Sequence, residues 1–294
     1  MIRWMKFLLS LLCAAIVLAS CEKEAPELPP LPDDDDGIVR ILAIGNSFSA
    51  NAVEQNLYEL ARSAGKVCEI GNLYIGGCTL AQHADLFHRD AASYEYRTID
   101  RTGHYSNRKG VAPSEALHDG TWDYISVQQA SALSGLYETY EADLPALLAA
   151  VKGACPSAVI LFHQTWAYAA DSPNAGFANY GRSQQTMYDA IVRATERVTA
   201  AFGIDRVIPS GTAMQNLRAT EVGDNLTADG SHLNPLGRYT AACVWFETIF
   251  GSDVRENPYE RADLPADYQR LARAAAHAAV ESPFAVTAVG GQSR

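Results

Sequence analysis

Hydrophobic residues along this chain fall into short continuous runs separated by longer stretches with helical periodicity. The short runs predict five strands, at 38–45, 67–75, 122–127, 158–162 and 206–209. Because most of these runs are apolar throughout, they are typical of strands buried on both faces of a parallel sheet. The stretches between them place apolar residues three and four positions apart, which predicts helices. One helix follows the first strand, with Val53, Leu57, Leu60 and Ala61 on one face, and others occupy 80–88, 114–118, 140–151, 183–202, 235–250 and 269–280.

One segment departs from this alternation. Residues 94–111 are polar, aromatic and basic, with Gly103 between two strand-like runs, and we interpret them as a β-hairpin insertion. The remaining strands alternate with helices, which predicts an α/β protein whose parallel sheet is covered by helices on both faces. Ligands of such sheets bind beyond the carboxyl ends of the strands. This rule gathers Ser47, Gly77, Gln128 and the loop 163–166 at one edge of the sheet.

The N-terminal residues have the pattern of an export signal. Arg3 and Lys6 precede an apolar run, and Leu18-Ala19-Ser20-Cys21 resembles a bacterial lipobox. That motif implies cleavage before Cys21 and lipidation of its thiol, so the run is an anchor signal and is too short to span a bilayer comfortably. An ordinary signal peptide with an incidental cysteine is the alternative.

These features divide the chain into a lipoprotein signal peptide at 1–20, an acidic, proline-rich tether at 21–37 and one domain at 38–290. We expect a lipoprotein of the outer membrane or cell surface of a Gram-negative bacterium. The acidic residues after Cys21, including 33–36, resemble the surface-export signals of some such lipoproteins. A plain solvated linker explains them equally well.

Charge and cysteine content narrow the classes of function. The formal charge of −11 becomes −13 without residues 1–20, which contain two basic and no acidic residues. This balance argues against nucleic acid and polyanionic substrates. The four cysteines after Cys21 have no zinc-site spacing, so we expect no metal. Disulfides and buried free thiols are both open for them: Cys68, Cys78, Cys155 and Cys243.

The first candidate for chemistry is Ser47, at the junction between the first strand and the helix after it. Small residues, Gly45 and Asn46, precede it and suit a sharp turn. At a helix N-terminus a serine hydroxyl can be exposed, and unpaired backbone N–H groups can stabilise a developing negative charge. Simple capping of the helix by Asn46 and Ser47 is the alternative.

The second candidate is the sequence Asp229-Gly230-Ser231-His232, which precedes a predicted helix. A loop of this kind can direct His232 toward the edge of the sheet while Asp229 holds the other ring nitrogen. With Ser47 these residues form the nucleophile, base and orienting acid of a catalytic triad. Alone, the Asp-x-x-His spacing is common, and a turn with a surface histidine also explains it.

In combination these motifs resemble the SGNH/GDSL hydrolase superfamily. The segment 45–49 resembles its Gly-Asp-Ser-Leu block, the segment 75–79 its second block, and the segment 229–232 its fifth. Their order and spacing agree with the family over residues 38–250. The resemblance implies a three-layer αβα, flavodoxin-like fold. It also implies that Ser47 is the nucleophile, that His232 is the base oriented by Asp229, and that the N–H groups of Ser47 and Gly77 line an oxyanion hole.

Two departures from the family pattern affect the site. Asn46 replaces the Asp of the first block, and the third block, Gly-x-Asn-Asp, is missing. Its place is taken by a stretch that begins at Gln128 and Gln129 and is similar to the Gln-Gly-Glu-Ser stretch of sialate O-acetylesterases and related carbohydrate esterases. A Gln amide can donate to an oxyanion, and we favour Gln128 for this role.

Four further residues are candidates for substrate contacts at this edge of the sheet: Asn46, Gln129, His163 and Trp166. A packing role is the alternative for His163 and for Trp166. His163, which ends a strand, is also a rival base, but it has no acid at short spacing.

The sequence therefore predicts a lipid-anchored serine esterase that removes O-acyl groups, with O-acetyl favoured, from glycans. It needs no metal or organic cofactor, and its partners are an acylated glycan or another small ester and the membrane, through its lipid. A non-catalytic glycan-binding lipoprotein with the same fold is the alternative. A lipase or acyl-thioesterase would need an apolar acyl channel, which the sequence does not show.

Overall fold

The structure, a computed structural model, describes residues 37–290 of the 294-residue chain. Its centre is a seven-stranded sheet with the spatial order β4-β3-β2-β1-β5-β6-β7. The strands are β1 (Ile38–Gly45), β2 (Val67–Tyr74), β3 (Tyr94–Ile99), β4 (Tyr105–Val111), β5 (Tyr124–Val127), β6 (Val159–His163) and β7 (Arg206–Ile208).

Five of these strands are parallel and form the part of the sheet that the apolar runs predict. β1 pairs with β2 on one side and β5 on the other, and β6 and β7 continue the sheet beyond β5. The pair β3 and β4 joins the edge at β2 with both strands antiparallel to their neighbours. The hairpin insertion predicted at 94–111 is confirmed.

Helices cover both faces of the sheet and bury two apolar clusters against it. In the part of the chain that the structure describes, the α-helices are α1 (Ser47–Val53), α2 (Leu57–Ser63), α3 (Leu80–His88), α4 (Pro113–Leu117), α5 (Glu138–Glu141), α6 (Leu144–Ala154), α7 (Gln184–Phe202), α8 (Ser210–Arg218), α9 (Pro235–Phe250) and α10 (Ala266–Glu281). Residues of α1, α2 and α8–α10 pack on one face, and residues of α3, α4 and α6 pack on the other. The predicted α/β sandwich with a mainly parallel sheet is confirmed.

Three helices differ from the pattern in the sequence. The single helix expected after β1 is broken into α1 and α2, because Asn56 adopts a left-handed conformation with φ of 70°. The helix expected at 140–151 is likewise divided between α5 and α6. Helix α8 was not predicted. It buries the polar residues Ser210, Thr212 and Asn216 alongside apolar ones, so it lacks a clear apolar stripe.

The signal peptide, Cys21 and most of the tether lie outside the described residues, and those assignments stay predictions. Within residues 37–290, none of the helices combines the length and the apolar character that a membrane span requires. Cys68, Cys78, Cys155 and Cys243 are all buried free thiols. Burial raises the pKa of the Cys68 and Cys78 thiols to about 12, so both are protonated at neutral pH.

Candidate active site

Ser47 lies where β1 passes into α1, as the first residue of that helix. Asn46 is the extended N-cap, and its Oδ1 accepts a hydrogen bond from the N–H of Phe48 at 3.0 Å. Gly45 makes this turn possible, since a Cβ there would lie 2.6 Å from Ser49 Oγ and 3.0 Å from Gln128 Cδ. As the first helical residue, Ser47 has no intrahelical acceptor for its own N–H.

A chain of hydrogen bonds connects Ser47 with two residues that are far away in sequence. Ser47 Oγ lies 2.9 Å from His232 Nε2, and His232 Nδ1 lies 2.6 Å from Asp229 Oδ2. A carboxylate oxygen only accepts, so the proton of the neutral imidazole is on Nδ1 and Nε2 is left to accept the Ser47 O–H. This is the geometry of a nucleophile, a base and an orienting acid.

The Asp229 carboxylate is held by several donors from its own loop. Its Oδ1 accepts the N–H of Ser231 at 2.9 Å, the Ser231 hydroxyl at 3.0 Å and the N–H of His232 at 2.7 Å. Partial burial raises the pKa of Asp229, but the bonds from His232 and Ser231 outweigh it, so the pKa lies well below its ordinary value. The carboxylate is therefore ionised at neutral pH and faces His232 with a negative charge.

Three contacts from other elements fix the loop that carries His232. Trp166 Nε1 donates to the carbonyl of Ser231 at 2.9 Å, and the Asn51 side chain accepts the N–H of Leu233 at 2.7 Å. The N–H of Ala169 donates to the Gly230 carbonyl at 2.9 Å. The loop is thus braced on both sides of the histidine. No sequence motif pointed to Asn51, which lies one helical turn after Ser47.

The loop between β2 and α3 contacts Asn46, the residue before Ser47, and carries Gly77. Gly77 has φ of 66°, a conformation that glycine adopts without strain. The neighbouring Cys78 carbonyl accepts a hydrogen bond from Asn46 Nδ2 at 3.0 Å, which ties this loop to the residue before Ser47. The expected contribution of the Ser47 and Gly77 N–H groups to an oxyanion hole stays a prediction.

Gln128 and Gln129 follow β5 and have different surroundings. Gln128 Nε2 donates to Asn46 Oδ1 at 3.0 Å, and its Oε1 lies 2.7 Å from His163 Nδ1. Gln129 Oε1 accepts the N–H groups of Leu80 and Ala130, while its Nε2 donates to Thr139. Gln128 is thus directly bonded to the residue before Ser47, whereas Gln129 anchors the start of α3.

The four predicted substrate contacts stay predictions. Asn46, Gln129, His163 and Trp166 are each at most 2% exposed, and their polar atoms bond to other groups of the protein. Their burial favours the packing role that the sequence left open for His163 and Trp166. The rule about strand ends placed them at the correct edge of the sheet.

His163, the rival base, lies in surroundings that are apolar or neutral. Its ring packs edge-on against Trp166 and Trp245, and its Nε2 lies 3.0 Å from Ser210 Oγ. Burial lowers the pKa of His163 to about 3, so the ring is neutral.

A polar cavity of about 340 Å³ adjoins Asp229. The residues that line it include Asp171, Asn225, Thr227 and Asn234. The His232 and Asp229 side chains are 41% and 53% exposed, so the triad opens to solvent beside this cavity.

Within residues 37–290, one group of side chains has the composition of a metal site. Glu247, His277 and Glu281 lie on α9 and α10, close enough together to share an ion. Glu247 Oε1 and His277 Nδ1 already bond to each other at 2.7 Å. None of these three residues belongs to the hydrogen-bonded chain of Ser47, His232 and Asp229.

The sheet order, together with a serine, a histidine and an aspartate at its carboxyl edge, defines an α/β fold of the SGNH/GDSL hydrolase type. A protein from Parabacteroides merdae described as a GDSL-like lipase shares this fold, with a TM-score of 0.50 and 16% sequence identity. The match covers 73% of this chain and 96% of that one. The resemblance to the SGNH/GDSL fold is therefore confirmed.

This chain belongs to the family described as Domain of unknown function (DUF4886), whose model matches residues 40–279. A member of that family from Bacteroides uniformis has a solved structure that is 44% identical, with a TM-score of 0.84. That match covers 85% of this chain and 97% of the other. No curated protein matches the sequence.

Proposed function

We propose that this protein is a serine esterase that removes O-acyl groups, with O-acetyl favoured, from glycans. The observation that carries the proposal is the hydrogen-bonded chain from Ser47 through His232 to Asp229, with distances of 2.9 and 2.6 Å. These distances fall within the range for a serine and its general base. The GDSL-type fold supports hydrolysis in general, and the site supports acyl transfer to a serine.

In the proposed mechanism Ser47 Oγ attacks the ester carbonyl while His232 Nε2 takes its proton. Asp229 keeps the imidazole in the correct tautomer and stabilises the imidazolium that forms. The oxyanion accepts hydrogen bonds from the N–H groups of Ser47 and Gly77 and from the Gln128 amide. His232 then protonates the departing alcohol oxygen, and a water molecule activated by His232 hydrolyses the acyl–Ser47 ester.

The choice of a glycan is supported by the polar cavity beside Asp229. Thr227 and Asp171 line this cavity, and hydroxyl and carboxylate groups are of the kinds that bond to sugar hydroxyls. A small acyl group such as acetyl needs no apolar channel. We further propose that lipidation of Cys21 holds the domain at the outer membrane or cell surface, where such glycans are accessible.

The test combines a fluorophosphonate probe with hydrolysis of three esters: an aryl acetate, an aryl palmitate and an O-acetylated oligosaccharide. We expect the wild type to be labelled and to hydrolyse both acetyl esters but not the palmitate. Ser47→Ala should be neither labelled nor active. Ser183→Ala removes another serine at a helix N-terminus, one with no histidine partner among residues 37–290, and should be labelled like the wild type.

Two outcomes would contradict the proposal. Binding of the oligosaccharide without labelling or hydrolysis would make the protein a non-catalytic glycan-binding lipoprotein. Faster hydrolysis of the palmitate than of the acetates would instead indicate a lipase.

A further inference from the structure

Four polar side chains form a buried row next to Ser47, and the proposed mechanism uses only one of them, Gln128. Asn46, Gln128, His163 and Ser210 follow or end the strands β1, β5, β6 and β7, and none is more than 2% exposed. The row therefore crosses the carboxyl edge of the parallel sheet from one strand to the next. Burying so many polar groups is costly unless each is hydrogen-bonded, so the bonds in this row have a structural purpose.

Contacts with the backbone at one end fix the direction of every bond in the row. Asn46 Oδ1 accepts the N–H of Phe48, so the Asn46 Nδ2 group faces the Cys78 carbonyl. Gln128 must then donate through Nε2 to Asn46 Oδ1, which leaves its Oε1 toward His163.

The same reasoning assigns the hydrogen bonds of His163. A Gln oxygen only accepts, so His163 Nδ1 carries the proton and donates to Gln128 at 2.7 Å. His163 Nε2 accordingly accepts from the Ser210 hydroxyl at 3.0 Å. A neutral ring with its proton on Nδ1 satisfies all of these contacts, and burial of His163 favours that neutral form.

The Asn46 end of the row lies next to both segments that form the proposed oxyanion hole. Asn46 directly precedes Ser47, and Cys78, whose carbonyl Asn46 holds, directly follows Gly77. A primary amide nitrogen carries two hydrogens, and Gln128 uses one of them on Asn46. The second is the donor that the proposed mechanism directs to the oxyanion. The position of this amide thus depends on what holds its oxygen.

We propose that His163 is a positioning residue that acts through Gln128. Its Nδ1–H fixes the amide of Gln128, and the amide in turn fixes Asn46 and the spacing between Ser47 and Gly77. This inference rests on the proposed function, because the oxyanion hole matters only if the protein is an esterase. His163 itself contacts no substrate.

The test is a set of steady-state measurements with an aryl acetate. His163→Leu removes the donor, and we expect kcat to fall about 10- to 100-fold with KM within about twofold, since oxyanion bonds strengthen in the transition state. His163→Asn keeps an N–H group near the position of Nδ1, and it should recover kcat to within about fivefold of the wild type. A purely structural role for the ring would make both variants equally slow.

A double-mutant cycle separates action through Gln128 from a general effect on the core. Gln128→Leu should lower kcat by about 10²–10³, and adding His163→Leu should lower it by less than about threefold more. If the two losses multiply in full, His163 does not act through Gln128 and the inference fails. Circular dichroism and the melting temperature establish that each variant is folded, and His163→Phe replaces His163→Leu if the latter is not.

The two proposals fail in distinguishable ways. A wild type that neither hydrolyses the aryl acetate nor reacts with the fluorophosphonate probe overturns the proposed function. An active wild type whose His163→Leu variant keeps its kcat overturns the role of His163 and leaves the esterase intact.

Discussion

The indole Nε1 of Trp166 donates a 2.9 Å hydrogen bond to the backbone carbonyl of Ser231, the residue before His232. The same ring stacks on Phe48, the residue after Ser47, with 4.0 Å between centroids and 6° between planes. Ser47 and His232 are 2.9 Å apart, and the buried Trp166 side chain therefore contacts a chain neighbour of each. Its role is to hold two distant segments of the chain in register.

Trp166→Phe should lower activity without removing Ser47 or His232. The variant keeps a ring for the stack on Phe48 but leaves the buried Ser231 carbonyl without its donor, which costs about 1–3 kcal/mol. We expect a lower kcat, little change in KM, and a decrease in the free energy of unfolding, measured by urea titration.

Trp245→Phe is the matched control for this substitution. Trp245 is also fully buried, but its Nε1 has no hydrogen-bond partner among the described residues. The same loss of ring size should therefore cost less stability there and leave kcat near the wild-type value. Equal losses in the two variants would show that ring volume, and not the bond to Ser231, is what matters at position 166.

Gly45→Ala should be destabilising because of crowding. The added Cβ would meet Ser49 Oγ, which is itself fixed by bonds to the Asn46 carbonyl and to Asn72. Overpacking of this kind costs about 1–3 kcal/mol. Gly153→Ala, in α6 with no atom within 4 Å of the new Cβ, should instead raise stability by about 0.5 kcal/mol. Thermal unfolding of both variants checks the pair, and a neutral Gly45→Ala would mean that the turn before Ser47 can relax.

Stability should fall as the pH decreases below about 6.5. Burial lowers the pKa of His83 to about 4 and that of His163 to about 3, whereas in the unfolded chain a histidine titrates near 6.5. Between these values the unfolded state binds more protons than the folded state. Each histidine therefore reduces the free energy of unfolding by about 1.4 kcal/mol for each pH unit lost.

His83→Phe tests this pH dependence. In urea titrations between pH 6.5 and 4, the slope of stability against pH should be about 1.4 kcal/mol per pH unit smaller in the variant than in the wild type. Above pH 7 both states carry a neutral histidine, and the difference between the two proteins should be constant. Identical slopes below pH 6.5 would mean that His83 is protonated in the folded state.

Cys21→Ser should abolish lipidation if the lipobox at 18–21 is functional. Labelled palmitate should enter the wild type but not the variant, and the variant should leave the detergent phase when membranes are partitioned. Cys13→Ser changes the other cysteine of this N-terminal segment and should leave both results unchanged. Palmitate incorporation into Cys21→Ser would refute the lipoprotein assignment.

Patterns that extend over a few neighbouring positions predicted most of the strands and helices. The bounds of α3 and α9 and the hairpin β3–β4 match the expectation, because capping residues, proline and alternation are readable over a few positions. Helix α8 was missed since its buried Ser210 and Thr212 are satisfied by partners far away in sequence, His163 and Gln164. The break before α2 depends on the left-handed Asn56, which side-chain periodicity does not reveal.

The functional residues divide in the same way, into those that a short motif reveals and those that it does not. Ser47, Asp229 and His232 were identifiable because each belongs to a short motif, and the structure brings all three together. The bonds of Gln129 and Trp166 were not predictable, because their partners, the Leu80 N–H and the Ser231 carbonyl, are backbone groups of other elements. Backbone partners leave no mark in the side-chain sequence.

The hairpin β3–β4 has a consequence for how copies of this protein behave beside one another. It covers the edge of β2 and makes β4 the outermost strand, whose residues 105–110 are exposed and include Arg108 and Lys109. The pairing of β3 with β4 is irregular at Tyr94 and Glu95, which distorts this edge of the sheet further. The edge strand on the opposite side, β7, is three residues long. Edge strands that are charged, irregular or very short pair poorly with the strands of another molecule. Crowded copies of this domain are thereby protected against joining sheet to sheet into aggregates.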